Sequence, residues 1–172
     1  MNRRKFALGI GGVSALALPT WAAGTNSSFQ MVSIVLYLPD QAMWERGPTV
    51  EALAAYVKGL VSRANETLAA QPPRPGVSGA VVMGLKPPSQ SRMWLVLGDN
   101  KRQGELASIL QAPLESVPAP SVSGLNAFAI NFDAWGGGER LPSQIPVPDE
   151  WARVMNSPGI LPDAPMRKLW PN

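Results

Sequence analysis

The chain has 172 residues, 45% of them apolar, and a formal charge of +3 from 15 Lys and Arg against 12 Asp and Glu. It contains neither histidine nor cysteine, which excludes disulfides, thiol nucleophiles, Ser-His-Asp triads, imidazole proton shuttles and His or Cys ligation of metal or haem. Carboxylate, lysine, tyrosine and hydroxyl chemistry remain, and the length suits one domain with a substantial core.

The first element in chain order is "NRRKFALGIGGVSALALPTWA", beginning at Asn2. Arg3, Arg4 and Lys5 precede an apolar run from Phe6 to Leu18 that is too short to span a bilayer. Pro19 closes the run, and Thr20 and Ala22 follow at the spacing read by a signal peptidase, so residues 1–22 are expected to be a cleaved signal peptide. The N-R-R-K-F-A-L core resembles the twin-arginine export signal, which implies a periplasmic destination. Cleavage would remove three basic residues and no acidic ones, leaving 12 of each. A neutral mature chain without a basic cluster is not expected to bind nucleic acid, and no stable membrane span is expected in it.

After a polar leader, "MVSIVLYLP" from Met31 alternates as a strand, with Val32, Ile34, Leu36 and Leu38 on the face expected to be core. A linker holding Trp44, Arg46 and the Gly47-Pro48 turn leads to a helix capped by Thr49, in which Val50, Leu53, Val57, Leu60, Val61, Ala64 and Leu68 recur at helical spacing. Its opposite face, with Glu51, Lys58, Ser62, Arg63 and Glu66, reads as solvated surface. "QPPRPG" ends the helix. "GAVVMGL" from Gly79 and "RMWLVLG" from Arg92 then form an antiparallel hairpin.

Asp99 or Asn100 caps a second helix carrying Leu106, Ile109 and Leu110, with its end or a kink expected at Pro113. The last strand, "NAFAINFDAW", sets Phe128, Ile130 and Phe132 against Ala127, Ala129, Asn131 and Asp133, and three glycines stop it at Gly136. Strand, helix, strand, strand, helix, strand predicts an α+β fold of the ferredoxin-like split βαβ type, an antiparallel sheet with two helices on one face. Residues 23–138 form that domain. Residues 139–172 are a proline-rich C-terminal extension expected to pack on it, with one short helix at "PDEWARVM" and anchors at Trp151 and Trp170.

From "SGAVVMGLKPPSQSRMWLVLGDN" through "GELASILQAPLESVPAPSVSGLNAFAINFD", Ser78 to Asp133 resembles the C-terminal domain of TonB energy transducers. The shared layout is a glycine-led strand, its hairpin partner, a helix and a proline-rich approach to a final strand. The family's aromatic-arginine helix end and its long proline-rich linker are missing. The resemblance implies a periplasmic protein-binding module more than energy transduction.

Chemistry-bearing motifs are few. Ser62, Ser89, Ser91 and Ser108 lack a lysine three positions on, and Ser78 lacks the glycines of a nucleophile elbow. Asn131, Asp133 and Trp135 share one strand face and form a candidate ligand face. Trp and Arg carry interface energy more often than other side chains, so Trp44 with Arg46, and Arg92 with Trp94, are the candidate partner-binding residues.

No catalytic set and no cofactor fingerprint accompany them. The leading expectation is an exported, non-enzymatic protein-binding module, such as an immunity or inhibitor protein or an accessory subunit of an envelope complex. A TonB-like adaptor for an outer-membrane protein, and a carboxylate-dependent enzyme or small-ligand carrier centred on Asp133, are the alternatives.

Overall fold

A computed structural model describes residues 27–155 apart from 142 and 144, together with 162–171, and for Trp44 it describes the backbone alone. The expected signal at 1–22 lies outside the described residues. Among the described residues, four strands and five α-helices run in the order β1 (Phe29–Leu36), α1 (Asp40–Arg46), α2 (Val50–Ala69), β2 (Val77–Lys86), β3 (Gln90–Leu97), α3 (Gln103–Glu115), β4 (Asn126–Ala134), α4 (Asp149–Val154) and α5 (Asp163–Leu169). The fold is α+β, with all four strands in one antiparallel sheet.

Local signals account for most of these elements. Thr49 Oγ1 accepts from Ala52 N at 3.2 Å and starts α2, whose Val57, Leu60, Ala64 and Leu68 are buried on one face. Asp99 accepts from Lys101 N at 3.0 Å, opening a 3-10 turn that leads into α3. Helix α3 runs through Pro113 to Glu115. A proline this close to a helix end removes only one hydrogen bond of the last turn, while burial of Leu106, Leu110 and Leu114 at four-residue spacing holds that turn down.

The strand order is β1-β4-β2-β3, which differs from the expected ferredoxin-like sandwich, where the first and third strands are central. Here β2 and β4 are central, and burial explains why. Nine of the ten residues of β2 are buried, as are seven of the nine in β4, whereas β1 buries only Phe29. Strands that are apolar on both faces belong in the middle of a sheet covered on both sides.

The two faces are built from residues of different size. Against α2 and α3 the sheet turns Val81, Met83, Leu85, Phe128, Ile130 and Phe132. Its other face is paved with Ala80, Val82, Ala127 and Ala129, over which Tyr37, Trp94, Trp151 and Met166 pack. Gly84 belongs to this paving, because a Cβ there would lie 2.8 Å from the Trp94 ring and 2.9 Å from Met166 Cε. Trp151 of α4, 1% exposed, sits between Tyr37 at 5.5 Å and Trp94 at 5.3 Å between ring centroids.

Strand β1 carries a further departure. Its pairing with β4 steps from Met31↔Phe132 to Ser33↔Asn131, so Val32 is the extra residue of a bulge. Val32 is 51% exposed instead of core, and Phe29, Met31, Ile34 and Leu36 take the helix side. The segment 40–46, expected as linker, is helical, and so is 163–169.

Trp151→Ala is expected to cost about 3–5 kcal/mol, the range for removing a buried large aromatic side chain, read as a lowered urea midpoint with the sheet's circular-dichroism signal retained below it. Alkaline pH provides a second test. Burial holds the Tyr37 hydroxyl well above the ordinary tyrosine value of 10.0 and raises that of Tyr56 in the same direction. The folded state therefore keeps these protons after the unfolded chain has lost them near pH 10. Their stabilisation is complete below about pH 10 and disappears as pH rises through the folded values. Urea midpoints should fall steeply above that pH, and Tyr37→Phe should reduce the slope.

Candidate functional site

The two arginines expected at an interface are placed by the fold at opposite ends of α5. Arg46, the last residue of α1, pairs with Asp163 in the first turn of α5 at 2.9 Å. Arg92 of β3 donates from Nη1 to the Leu169 carbonyl at the end of α5, at 2.6 Å. Lys86 adds a second cation there, with Nζ 3.0 Å from the Pro171 carbonyl and 5.4 Å from the Trp170 ring centroid. Carboxylates suit a helix start and cations a helix end, so these contacts fix α5 across the sheet in one direction.

Trp94 is 5% exposed. Its Nε1 donates to Glu150 Oε2 at 2.9 Å, and the Arg92 guanidinium lies 5.2 Å from its ring centroid. Of the candidate partner-binding residues, Trp94 is thus buried under the C-terminal layer with its N–H engaged by Glu150, while Arg46 pairs with Asp163 and keeps 37% of its side chain exposed. The side chain of Trp44 lies outside the described residues.

The candidate ligand face is also used internally. Asn131 Nδ2 donates to Ser33 Oγ across the β1–β4 pair at 2.9 Å. Ser78 Oγ donates to Asp133 Oδ1 and accepts from Gly138 N at 2.9 Å, tying the glycine-rich exit to the start of β2. Trp135 does not share their face. The strand ends at Ala134, Trp135 takes a left-handed φ of 49°, and its ring packs with the helix-side cluster, where Arg102 lies 5.8 Å from its centroid. A residue beyond the strand end does not obey the strand's alternation.

A groove forms where the edge of β3 looks out between the two layers. It has a volume of about 300 Å³, and its floor is Arg92, Met93, Trp94 and Leu95. One wall is α3, through Gln103, Gly104, Ala107 and Gln111, and the other is the start of α4, Pro148 to Glu150. The ladder phase follows from Gly98 N donating to Ser78 O at 3.2 Å: even-numbered residues of β3 face β2, and odd-numbered ones turn their backbone groups outward.

Two of those outward N–H groups are taken by side chains of α3. Met93 N donates to Glu115 Oε1 at 2.9 Å, and Leu97 N to Gln103 Oε1 at 3.4 Å. Leu95 lies between them with its N–H and C=O turned to the groove. Neither Glu115 nor Gln103 is visible as a site residue in the sequence. The clue is the 106, 110, 114 spacing, which carries α3 past Pro113 and puts Glu115 on its last turn.

A shallower apolar groove of about 410 Å³ runs between α2 and the 117–120 segment, along Ala52, Ala55, Tyr56 and Gly59. Among the described residues, no group of three or more Asp or Glu side chains gathers as a metal site, and no helix is long and apolar enough to cross a membrane.

Ser78→Ala should lower stability by about 1–3 kcal/mol, the scale for orphaning a buried hydrogen-bonding group, and should loosen 135–138, seen as faster amide exchange of Gly138. No protein-family model matches the chain, and no curated protein and no solved structure matches it.

Proposed function

We propose that this chain is an exported, non-enzymatic protein-binding module, an immunity or inhibitor protein or an accessory subunit of an envelope complex, and that it receives its partner in the β3 groove. The observation that carries this reading is the groove itself. It is a concave strip beside an unpaired strand edge, with Leu95 backbone groups open and amide side chains of Gln103 and Gln111 along one wall. Such an edge binds polypeptide through its main chain. Export rests on the basic, apolar and small-residue succession of residues 1–22.

The open edge also favours a second reading, a TonB-like adaptor that pairs with an extended segment of an outer-membrane protein. The enzyme or carrier reading centred on Asp133 has less support, since Ser78 occupies that carboxylate and Trp135 faces elsewhere.

Gly104 provides the test, because a Cβ there meets nothing within 4 Å. Gly104→Trp would fill the groove from the α3 wall without disturbing the core. Tagged protein, crosslinked in its native envelope, should lose its principal captured partner by about tenfold or more in Gly104→Trp, the equivalent of 1.4 kcal/mol. Ala54→Trp on the exposed face of α2 should capture normally. Equal capture by the Gly104 variant would remove the groove from the function.

A further inference from the structure

The most informative feature of the groove is that its strand edge is already partly occupied from within. Met93 N–H donates to the Glu115 carboxylate, which Gln111 Nε2 also approaches at 3.3 Å. Leu97 N–H donates to Gln103 at the other end. Met93 and Leu97 are about 13 Å apart along an extended strand, so the caps bracket a short open stretch centred on Leu95. Side-chain caps of this kind suppress indiscriminate pairing at an exposed edge. They also decide what a pairing segment must supply, since it has to displace a charged acceptor.

The charges around the groove show what that is. Arg92 is the one cation of the lining, and it is engaged by the Leu169 carbonyl, the Trp94 ring and Glu150 at 3.9 Å. Asp149 and Glu150 stand on the α4 wall, and Glu115 stands at the end of the α3 wall. Glu150 is held by the Trp94 N–H and Arg92, and Glu115 by Met93 N–H and Gln111, which leaves Asp149 as the carboxylate without such a contact; three carboxylates against one cation make the groove net acidic.

We propose that Glu115 is a latch that makes the groove selective for extended segments bearing Lys or Arg. As the segment pairs with β3, its carbonyl replaces Glu115 as acceptor for Met93 N–H, and its N–H and C=O meet those of Leu95. The displaced carboxylate is then paired by the segment's cation. A neutral segment makes the same main-chain bonds but leaves Glu115 without the charge-assisted donor it had, and that difference is the selectivity. This inference rests on the protein-binding reading of the groove.

Two blocked heptapeptides of alternating Thr and Val, with Lys or Gln at the centre, test it by NMR titration of the folded protein. In the wild type, the Met93 and Leu95 amides should shift with both, half-saturating at about tenfold lower concentration for the Lys peptide, the scale of a hydrogen bond to a charged group. Glu115→Gln keeps an acceptor for Met93 N–H and removes the charge, so the preference should vanish. Glu115→Ala removes the latch, so the Gln peptide should bind more tightly than it does to wild type.

Equal half-saturation by both peptides in wild type, with the Leu95 shift present, would overturn the latch and leave the groove as a polypeptide site. No shift with either peptide, in wild type or in Glu115→Ala, would overturn both. A concentration-dependent dimer that Gly104→Trp abolishes would make a second copy of the chain the occupant and overturn the proposal.

Discussion

The fold depends on Trp151 being seated between Tyr37 and Trp94 over a floor of alanines. A four-stranded antiparallel sheet with two helices needs only one buried face, and the opposite face can be polar. Here β2 and β4 are apolar on both faces, so the sheet cannot stand with its second face in water. Residues 145–155 and 162–170 supply the second layer, and Trp151 is its largest fully buried side chain. The ion pair of Arg46 with Asp163 and the bond of Arg92 to Leu169 O then hold α5 in place at both ends. The β3 groove exists only because there are two layers for its edge to open between.

Much of the first layer was legible in the sequence. Helix α2 has a clear apolar stripe and a threonine cap, and the hairpin is bounded by prolines and turn residues. The second layer was harder to read, because its half of the interface consists of Ala80, Val82, Gly84, Ala127 and Ala129. Small residues in a strand give no sign of what they will be packed against. Strand order followed the same hidden information, since two-sided burial of β2 and β4 decided which strands became central. The bulge at Val32 reversed the expected inward set of β1's first half, and one inserted residue has no signature in an alternating apolar run.

The site shows a related limit. Arg92 and Trp94 were recognisable as residue types suited to interfaces, and they do lie at the groove, but with their polar groups committed to Leu169 and Glu150. The groove draws on residues 92–95, 103–111 and 148–150, which become neighbours only when α4 closes over the sheet. Asn131, Asp133 and Trp135 illustrate the converse. Strand periodicity grouped them, and a left-handed residue at the strand end separated Trp135 from the other two.

Because α4 and α5 follow all four strands in the chain, the covering of the small-residue face comes last during synthesis. A nascent chain that has emerged only as far as β4 can form the sheet and its α2/α3 layer but exposes a tract of alanine, valine and glycine flanked by Tyr37 and Trp94. The interval between emergence of Ala134 and emergence of Met166 is therefore the period in which this face stands uncovered, narrowed when the tryptophan of α4 arrives and ended when α5 follows it.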